Sequence, residues 1–252
     1  MSHVPAQNHP AFRRNRALYA PGGAWARSAG ARCSMRFLSD GGKLRNWDPR
    51  RGERTAVNDA HNEADRPGAK VRQQSMDLLS LIAATCGRGE HVLLTEDDAP
   101  LCPGALARIG RSVGLLQVWR RPWSALRTSI GFIGIVVPDV QLQSLAAFIK
   151  RYYLRKPPDI LLIEWMHGNW QGGVRKEAEA RGAVATQLAR QPATTHHVTD
   201  VNLFLHKGGV SSLRKTHLPK FPRCNVGFGA FLWGMETFQA SCKPFGVSPC
   251  AF

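Results

Sequence analysis

Helical and strand-like hydrophobic patterns alternate along the chain from Val71 onward, and this alternation constrains the fold more than any other feature. Apolar side chains at helical spacing predict helices over 71–86, Ala105–Val113 and Leu142–Tyr153. Short apolar runs predict strands at 91–95, Leu115–Trp119, Gly131–Val137, Ile160–Glu164 and Val201–Leu205. Helices and strands in alternation are typical of a three-layer α/β sheet. We therefore predict an α/β fold over residues 71–252.

Three consecutive carboxylates, Glu96, Asp97 and Asp98, follow the predicted strand at 91–95. Adjacent carboxylates at the end of a buried strand repel each other and lose solvation unless a cation neutralises them. Mg²⁺ and Mn²⁺ take oxygen ligands, commonly carboxylates together with the phosphate oxygens of a substrate. The triplet therefore indicates a divalent-cation site, and a solvated acidic turn is the alternative.

Three further features follow the acidic triplet in chain order. Gly131 and Gly134 lie in a predicted strand, where glycine marks either close approach of a ligand or a kinked edge. Glu164 ends the next predicted strand, where a carboxylate could accept a proton from an attacking hydroxyl or be an ordinary strand-end residue. His206 follows the last predicted strand and is either a metal ligand or a structural histidine.

In this order, the four features resemble the landmarks of metal-dependent glycosyltransferases that use nucleotide-sugar donors and have the GT-A fold. The local motifs are similar to those of the group that adds N-acetylgalactosamine to glycosylphosphatidylinositol glycans. More distantly, they resemble the β-1,4-N-acetylglucosaminyltransferases that branch N-glycans. The motifs that carry the resemblance are Val71–Gln74, Asp77–Leu79, Glu96–Asp98, Leu101–Pro103, Leu126–Ser129, Pro157–Asp159, Glu164–Trp165, Asn202–Phe204, His206 and Ser211–Arg214.

The resemblance implies a cation and a donor at the acidic triplet. Asp98 would hold Mn²⁺ or Mg²⁺ on the diphosphate of a nucleotide-sugar, with a UDP-sugar expected, and His206 would complete the metal shell. Glu96 and Asp97 would lie on the sugar-nucleotide side. The resemblance therefore predicts transfer of a sugar, of the N-acetylhexosamine type, to a glycan or glycolipid acceptor.

The resemblance also implies roles for residues later in the chain. Gly131 and Gly134 would border the donor sugar and the acceptor. Glu164 would be the catalytic base of an inverting reaction. A basic residue, Lys207, Arg214 or Lys215, would assist at the diphosphate. These residues complete the predicted active site.

The resemblance covers roughly residues 66–242. The family places several strands before the acidic triplet and works in the Golgi or another secretory compartment behind a membrane anchor. Here few ordered-looking residues precede the triplet, and the chain has no visible anchor or signal peptide. We therefore expect a GT-A-like, Rossmann-like mixed sheet whose N-terminal half is incomplete. A catalytically inactive or truncated relative, acting as an interaction module, is the alternative function.

Residues 1–70 differ in composition from the rest of the chain. Residues 1–39 contain six Arg and no Asp or Glu, a composition typical of an organellar transit peptide. A disordered basic arm or a wrongly assigned gene start would have the same composition. We therefore predict a basic, poorly ordered segment over residues 1–70.

The formal net charge of +16 predicts a polyanionic partner, a membrane surface or a phosphate-bearing substrate. A nucleic-acid-binding protein would account for this charge. Against that alternative, the carboxylates at 96–98 would repel phosphate without a metal, and the chain contains no recognised nucleic-acid motif. Nucleic acid is therefore the less favoured partner.

Three of the six cysteines, Cys224, Cys242 and Cys250, lie close together near the C-terminus in a segment rich in Pro, Gly and Phe. This crowding predicts at least one disulfide and an oxidising compartment. Free buried thiols are the alternative. Because the sequence contains no CxxC pair, we do not expect a structural zinc site.

Overall fold

The computed structural model describes residues 68–96, 98–154, 156–167, 195–206, 221–227 and 238–250. These residues form a mixed α/β structure around a five-stranded sheet, so the predicted α/β class is confirmed. The helices are α1 (Ala69–Thr85), α2 (Ala105–Val118), α3 (Asp139–Tyr152) and α4 (Pro158–His167), with a 3₁₀ turn at Ala240–Cys242. The strands are β1 (His91–Leu94), β2 (Trp123–Arg127), β3 (Ile135–Pro138), β4 (Thr195–Thr199) and β5 (Val247–Ser248).

The strand order in the sheet is β1-β3-β2-β4-β5. Strand β3 is antiparallel to both of its neighbours, β1 and β2, and β5 is antiparallel to β4. Strands β2 and β4 are parallel. Strands β1, β2 and β4 therefore point in one direction, and their carboxyl ends meet at one edge of the sheet, which we call the carboxyl edge.

Apolar side chains pack on both faces of this sheet. Side chains of a strand alternate between the two faces. On β3, Ile135 and Val137 accordingly pack in a cluster with α1, α3 and α4, whereas Val136 packs in a second cluster with α2. The second cluster also contains Leu203 and Phe204, which follow β4. The second cluster thus holds the residues that follow β1 and β4 at the carboxyl edge.

Helices α1 and α3 and strand β1 lie where the sequence predicts them, within a few residues. The strand predicted at Leu115–Trp119 is wrong, because α2 continues to Val118. Ala105, Ile109 and Leu116 are buried at helical spacing, so the later leucines extend the apolar face of the same helix.

The strand predicted at Ile160–Glu164 is also wrong, because these residues belong to α4. Pro158 occupies the first helical position and Asp159 lies in the first turn, and both are favoured at the start of a helix. Leu161 and Leu162 are both fully buried. Consecutive buried side chains hide the helical period, so the segment has the pattern of a buried strand.

Of two other predicted strands, one is shorter than expected and one is absent. The strand predicted at Gly131–Val137 begins only at Ile135, and its two glycines lie in the preceding turn. In place of a strand at Val201–Leu205, the structure has two isolated bridges, formed by Val201 with Gly227 and by Phe204 with Leu101. The strand in this part of the chain is β4, which ends before Val201.

Among the residues that the structure describes, every helix is too short or too polar to cross a lipid bilayer.

Candidate cation site at the carboxyl edge of the sheet

The carboxyl edge brings together residues that are far apart in sequence. Glu96 and Asp98 follow β1, Ser129 follows β2, and His206 is in the segment that follows β4. Crevices outside the carboxyl ends of strands are common ligand sites in open α/β sheets. Strand direction thus explains how an acidic turn and a distant histidine come to share one corner.

Backbone pairing then fixes the distance between the acidic turn and the histidine segment. The N–H of Cys102 donates to the carbonyl of Leu203 at 2.9 Å, and the N–H of Leu205 donates to the carbonyl of Pro100, also at 2.9 Å. These bonds flank the bridge between Leu101 and Phe204. Because the two segments are paired in this way, His206 lies directly beside the acidic turn.

Glu96, Asp98 and His206 converge at this corner. The Nε2 atom of His206 lies 3.5 Å from Oε2 of Glu96 and 3.4 Å from Oδ2 of Asp98. One ligand atom from each residue lies within 4.8 Å of the other two. The imidazole is 10% exposed and the two carboxylates are 38% and 43% exposed, so an ion in solvent can reach their oxygen atoms.

The electrostatics of this cluster are those of a site with excess negative charge. Burial is the main cause that raises the pKa of Glu96, and the Asp98 carboxylate raises it further. Nearby His206 opposes this rise, and Asp159, at the start of α4, adds to it. A cation bound between the carboxylates would favour their ionised forms.

The donor atoms of the cluster fit a divalent cation. Two carboxylate oxygens and one imidazole nitrogen could together hold a metal ion. Carboxylates suit Mg²⁺ and Mn²⁺, and imidazole suits transition metals such as Zn²⁺. With a proton on the ring, the same contacts would be ion pairs between His206 and the two carboxylates. The cluster thus has two chemical interpretations, which a cation titration distinguishes.

Phe221 and Asn202 support the segment that carries His206. Phe221 stacks on the His206 ring, with centroids 5.2 Å apart and planes inclined by 30°. The buried amide of Asn202 donates to the carbonyl of Pro222 at 2.9 Å and accepts a 2.7 Å hydrogen bond from the Ser129 hydroxyl. Asn202 therefore connects the end of β2 to the segment that carries Phe221.

A disulfide between Cys102 and Cys224 joins this segment to the acidic turn. A second disulfide joins Cys242 to Cys250, so the prediction of at least one disulfide near the C-terminus is confirmed. The sequence did not single out Phe221 or the partner of Cys102. The two bonded cysteines are 122 residues apart, and only the strand topology reveals that they are neighbours.

The two glycines predicted to border the substrate differ in their surroundings. Both have a positive φ, +66° at Gly131 and +67° at Gly134. A Cβ on Gly134 would overlap the Phe204 ring and the Thr128 hydroxyl, so tight packing accounts for this glycine. A Cβ on Gly131 would meet nothing within 4 Å. Gly131 therefore borders open space and Gly134 does not.

Glu164 lies on α4 and not at a strand end. Its carboxylate forms an ion pair with Lys156, and both side chains are mostly buried. Its predicted role as catalytic base stays a prediction. Asp159, at the start of the same helix, is the α4 carboxylate that acts on the pKa of Glu96. Asp97 and Arg214 lie outside the described residues.

Comparisons of the chain with protein-family models, with curated proteins and with solved structures found no match.

Proposed function

We propose that the protein is a divalent-cation-dependent glycosyltransferase that moves a sugar from a nucleotide-sugar donor to a glycan or glycolipid acceptor. The observation that carries the proposal is the convergence of Glu96, Asp98 and His206 at the carboxyl edge. The family resemblance predicts Asp98 and His206 as metal ligands, with Glu96 on the donor side. Their pairing across two separate segments supports that prediction.

The chain's own residues have distinct tasks in this proposal. Asp98 and His206 hold the cation, and Glu96 completes the negative cluster on the donor side. A bound divalent cation neutralises the charge that develops on the departing diphosphate. Gly131, with open space where a side chain would lie, leaves room for the donor sugar or acceptor.

Two carboxylates on α4 are candidates for the base that accepts the acceptor's proton. The family resemblance implies Glu164 as the base, but Glu164 lies on a helix and not at a strand end, and its pairing with Lys156 must loosen before it can accept a proton. Asp159, in the first turn of α4, adds to the raised pKa of Glu96. We keep Glu164 as the proposed base and take Asp159 as the competitor.

The proposed architecture is GT-A-like, with the cation site at the carboxyl edge of a mixed sheet. The proposed compartment is the Golgi or another part of the secretory pathway. Two disulfides support an oxidising environment, since structural disulfides persist mainly there. The proposed donor is a UDP-sugar, with the sugar of the N-acetylhexosamine type.

Calorimetric titration with UDP tests the cation and donor parts together. We expect binding in Mn²⁺ that disappears in EDTA, and we expect Asp98→Asn to weaken it. Asp139→Asn is the matched control, because Asp139 accepts a hydrogen bond from the Gly87 N–H at the start of α3, away from the cluster. Equal binding with and without Mn²⁺, or none in either condition, would contradict the proposal.

A transfer assay distinguishes the two candidate bases. Glu164→Gln should lower transfer by about 10²–10⁴-fold without loss of UDP binding if Glu164 is the base. The same result for Asp159→Asn, with near-normal transfer by Glu164→Gln, would assign the base to Asp159. Cation-dependent UDP binding without any transfer would favour the inactive relative.

A further inference from the structure

The segment at 221–227 reaches the cation site through two contacts. Phe221 packs against the ring of His206 at a centroid distance of 5.2 Å. Cys224 is bonded to Cys102, which is paired by its backbone with Leu203 and lies just beyond the acidic turn. The segment therefore contacts the histidine through Phe221 and is covalently linked through Cys224 to the residues that follow the acids.

Together these contacts form a closed path of bonds and contacts that begins and ends at Asp98. Starting from Asp98, the chain leads to Cys102, through the disulfide to Cys224, back to Phe221, and from its ring to His206, which faces Asp98 at 3.4 Å. The disulfide is the covalent step between the two halves of this path. A histidine that ligates a metal depends on neighbouring groups for the orientation of its ring.

We infer that the Cys102–Cys224 disulfide is a redox-sensitive clamp that sets the cation affinity of the Glu96–Asp98–His206 cluster. The inference rests on the cation site of the proposed function and adds a means of regulating it. With the disulfide formed, Phe221 is held against His206. With the disulfide reduced, segment 221–227 keeps its hydrogen bonds to Asn202 but loses its covalent link to the acidic turn.

A dithiol is the reductant of the Cys102–Cys224 bond in this inference. The S–S bond between Cys102 and Cys224 breaks, and a new S–S bond forms within the dithiol. Two electrons and two protons pass from the dithiol to the two cysteines. Cys224 is half-buried whereas Cys102 is 3% exposed, so the attacking thiolate reaches the Cys224 sulfur first.

The second disulfide provides a matched control within the same chain. Cys242 and Cys250 join the 3₁₀ turn to the residues after β5, and neither is part of the cation cluster. We expect the double variant Cys102→Ala/Cys224→Ala to bind Mn²⁺ about 10- to 100-fold more weakly than the oxidised protein, the range found for groups that support a metal ligand. The double variant Cys242→Ala/Cys250→Ala should bind Mn²⁺ normally.

A measurement on the unmutated chain guards against misfolding of the variants. Mn²⁺ titration of the oxidised protein, and of the protein reduced with a phosphine that is then removed, should show the same loss of affinity. Phe221→Leu should weaken binding and alter the visible absorption of bound Co²⁺, whereas Phe221→Tyr should restore both, because the tyrosine ring keeps the stacked face.

Each outcome of these titrations has one meaning. Equal Mn²⁺ affinity in the oxidised and reduced proteins, with binding in both, overturns the clamp and leaves the proposed function intact. Equal loss in both double variants overturns it as well, since the effect would then be general destabilisation. Absence of Mn²⁺ binding by the oxidised protein overturns the proposed function together with the clamp.

Discussion

His206 and His197 follow each other closely in sequence but lie in opposite environments. His206 is at the carboxyl edge, with two carboxylates within 3.5 Å of its Nε2 atom. His197 is inside β4, 5% exposed, with the Trp119 ring at a centroid distance of 6.2 Å. The same side chain therefore faces negative charge in one region and apolar surface in the other.

The buried surroundings of His197 favour its neutral form. Burial is the main cause that lowers the pKa of His197 to about 4, and charges at His196 and Arg121 lower it further. Its Nδ1 lies 2.8 Å from the carbonyl of Pro249, so in the neutral ring this nitrogen carries the proton and donates it. His197 is thus a neutral, structural histidine, whereas His206 lies beside two carboxylates.

Replacement of each histidine tests this comparison, and the replacement of His206 has the largest expected effect on binding. His206→Ala should lower Mn²⁺ affinity about 100-fold or more, because loss of a supporting group alone costs 10- to 100-fold. His197→Asn should leave Mn²⁺ affinity unchanged, since His197 contributes nothing to the cluster. Calorimetric titration of both variants at pH 7.5 gives the two affinities.

The comparison fails if the two variants bind Mn²⁺ alike. If the unmutated protein and His206→Ala both bind without difference, His206 is an ion-pair partner of the carboxylates and not a metal ligand. Unfolding in urea should accompany the titrations, so that a loss of affinity in His206→Ala is not caused by loss of the fold.

The structure brings Glu96, Asp98 and His206 together, although two of the predicted strands in this fold are helical. Glu96 and Asp98 stand out within a run of adjacent carboxylates after a predicted strand, and His206 follows another predicted strand, but only the family resemblance assigned them to one site. The role of Glu164 rested on a strand that is a helix. The signal that could have corrected it was Pro158 followed by Asp159, which favours a helix start.

Other features depend on contacts that no local pattern contains. Phe221 packs on His206 although other residues separate them in sequence. Cys102 and Cys224 are bonded because their segments both pair with the residues after β4. The run at Leu115–Trp119 shows a different limit, since a short apolar stretch has the same composition in a helix and a strand. Periodicity predicted α1 and α3 because each buries one face.

The two glycines before β3 allow a second comparison, between a tightly packed position and an open one. Gly134→Ala should destabilise the fold by about 2–4 kcal/mol, because it combines a positive φ with overlap against Phe204. Gly131→Ala should cost only about 1–2 kcal/mol, since the strain of its φ is not joined by a clash. Urea unfolding measures both.

Binding measurements on the same two variants separate packing from function. If Gly131 borders the donor, Gly131→Ala should weaken UDP binding in Mn²⁺ by more than its stability loss explains. Similar stability losses for Gly131→Ala and Gly134→Ala would mean that the space beside Gly131 is not open.

A further effect concerns the pH dependence of stability at His197. Its pKa is about 4 in the folded protein, below the ordinary value of 6.5, so the unfolded chain binds a proton that the folded protein refuses. Stability should therefore fall as the pH drops from 6.5 towards 4, by about 2 kcal/mol at pH 5 relative to pH 7.5.

His197→Asn removes the titrating ring, while its amide can still donate to the carbonyl of Pro249. The free energy of unfolding in urea should consequently decrease less with acidification in the variant than in the unmutated protein. A constant difference between the two proteins from pH 7.5 to pH 5 would mean that His197 titrates alike in the folded and unfolded states, and the contrast with His206 would be lost.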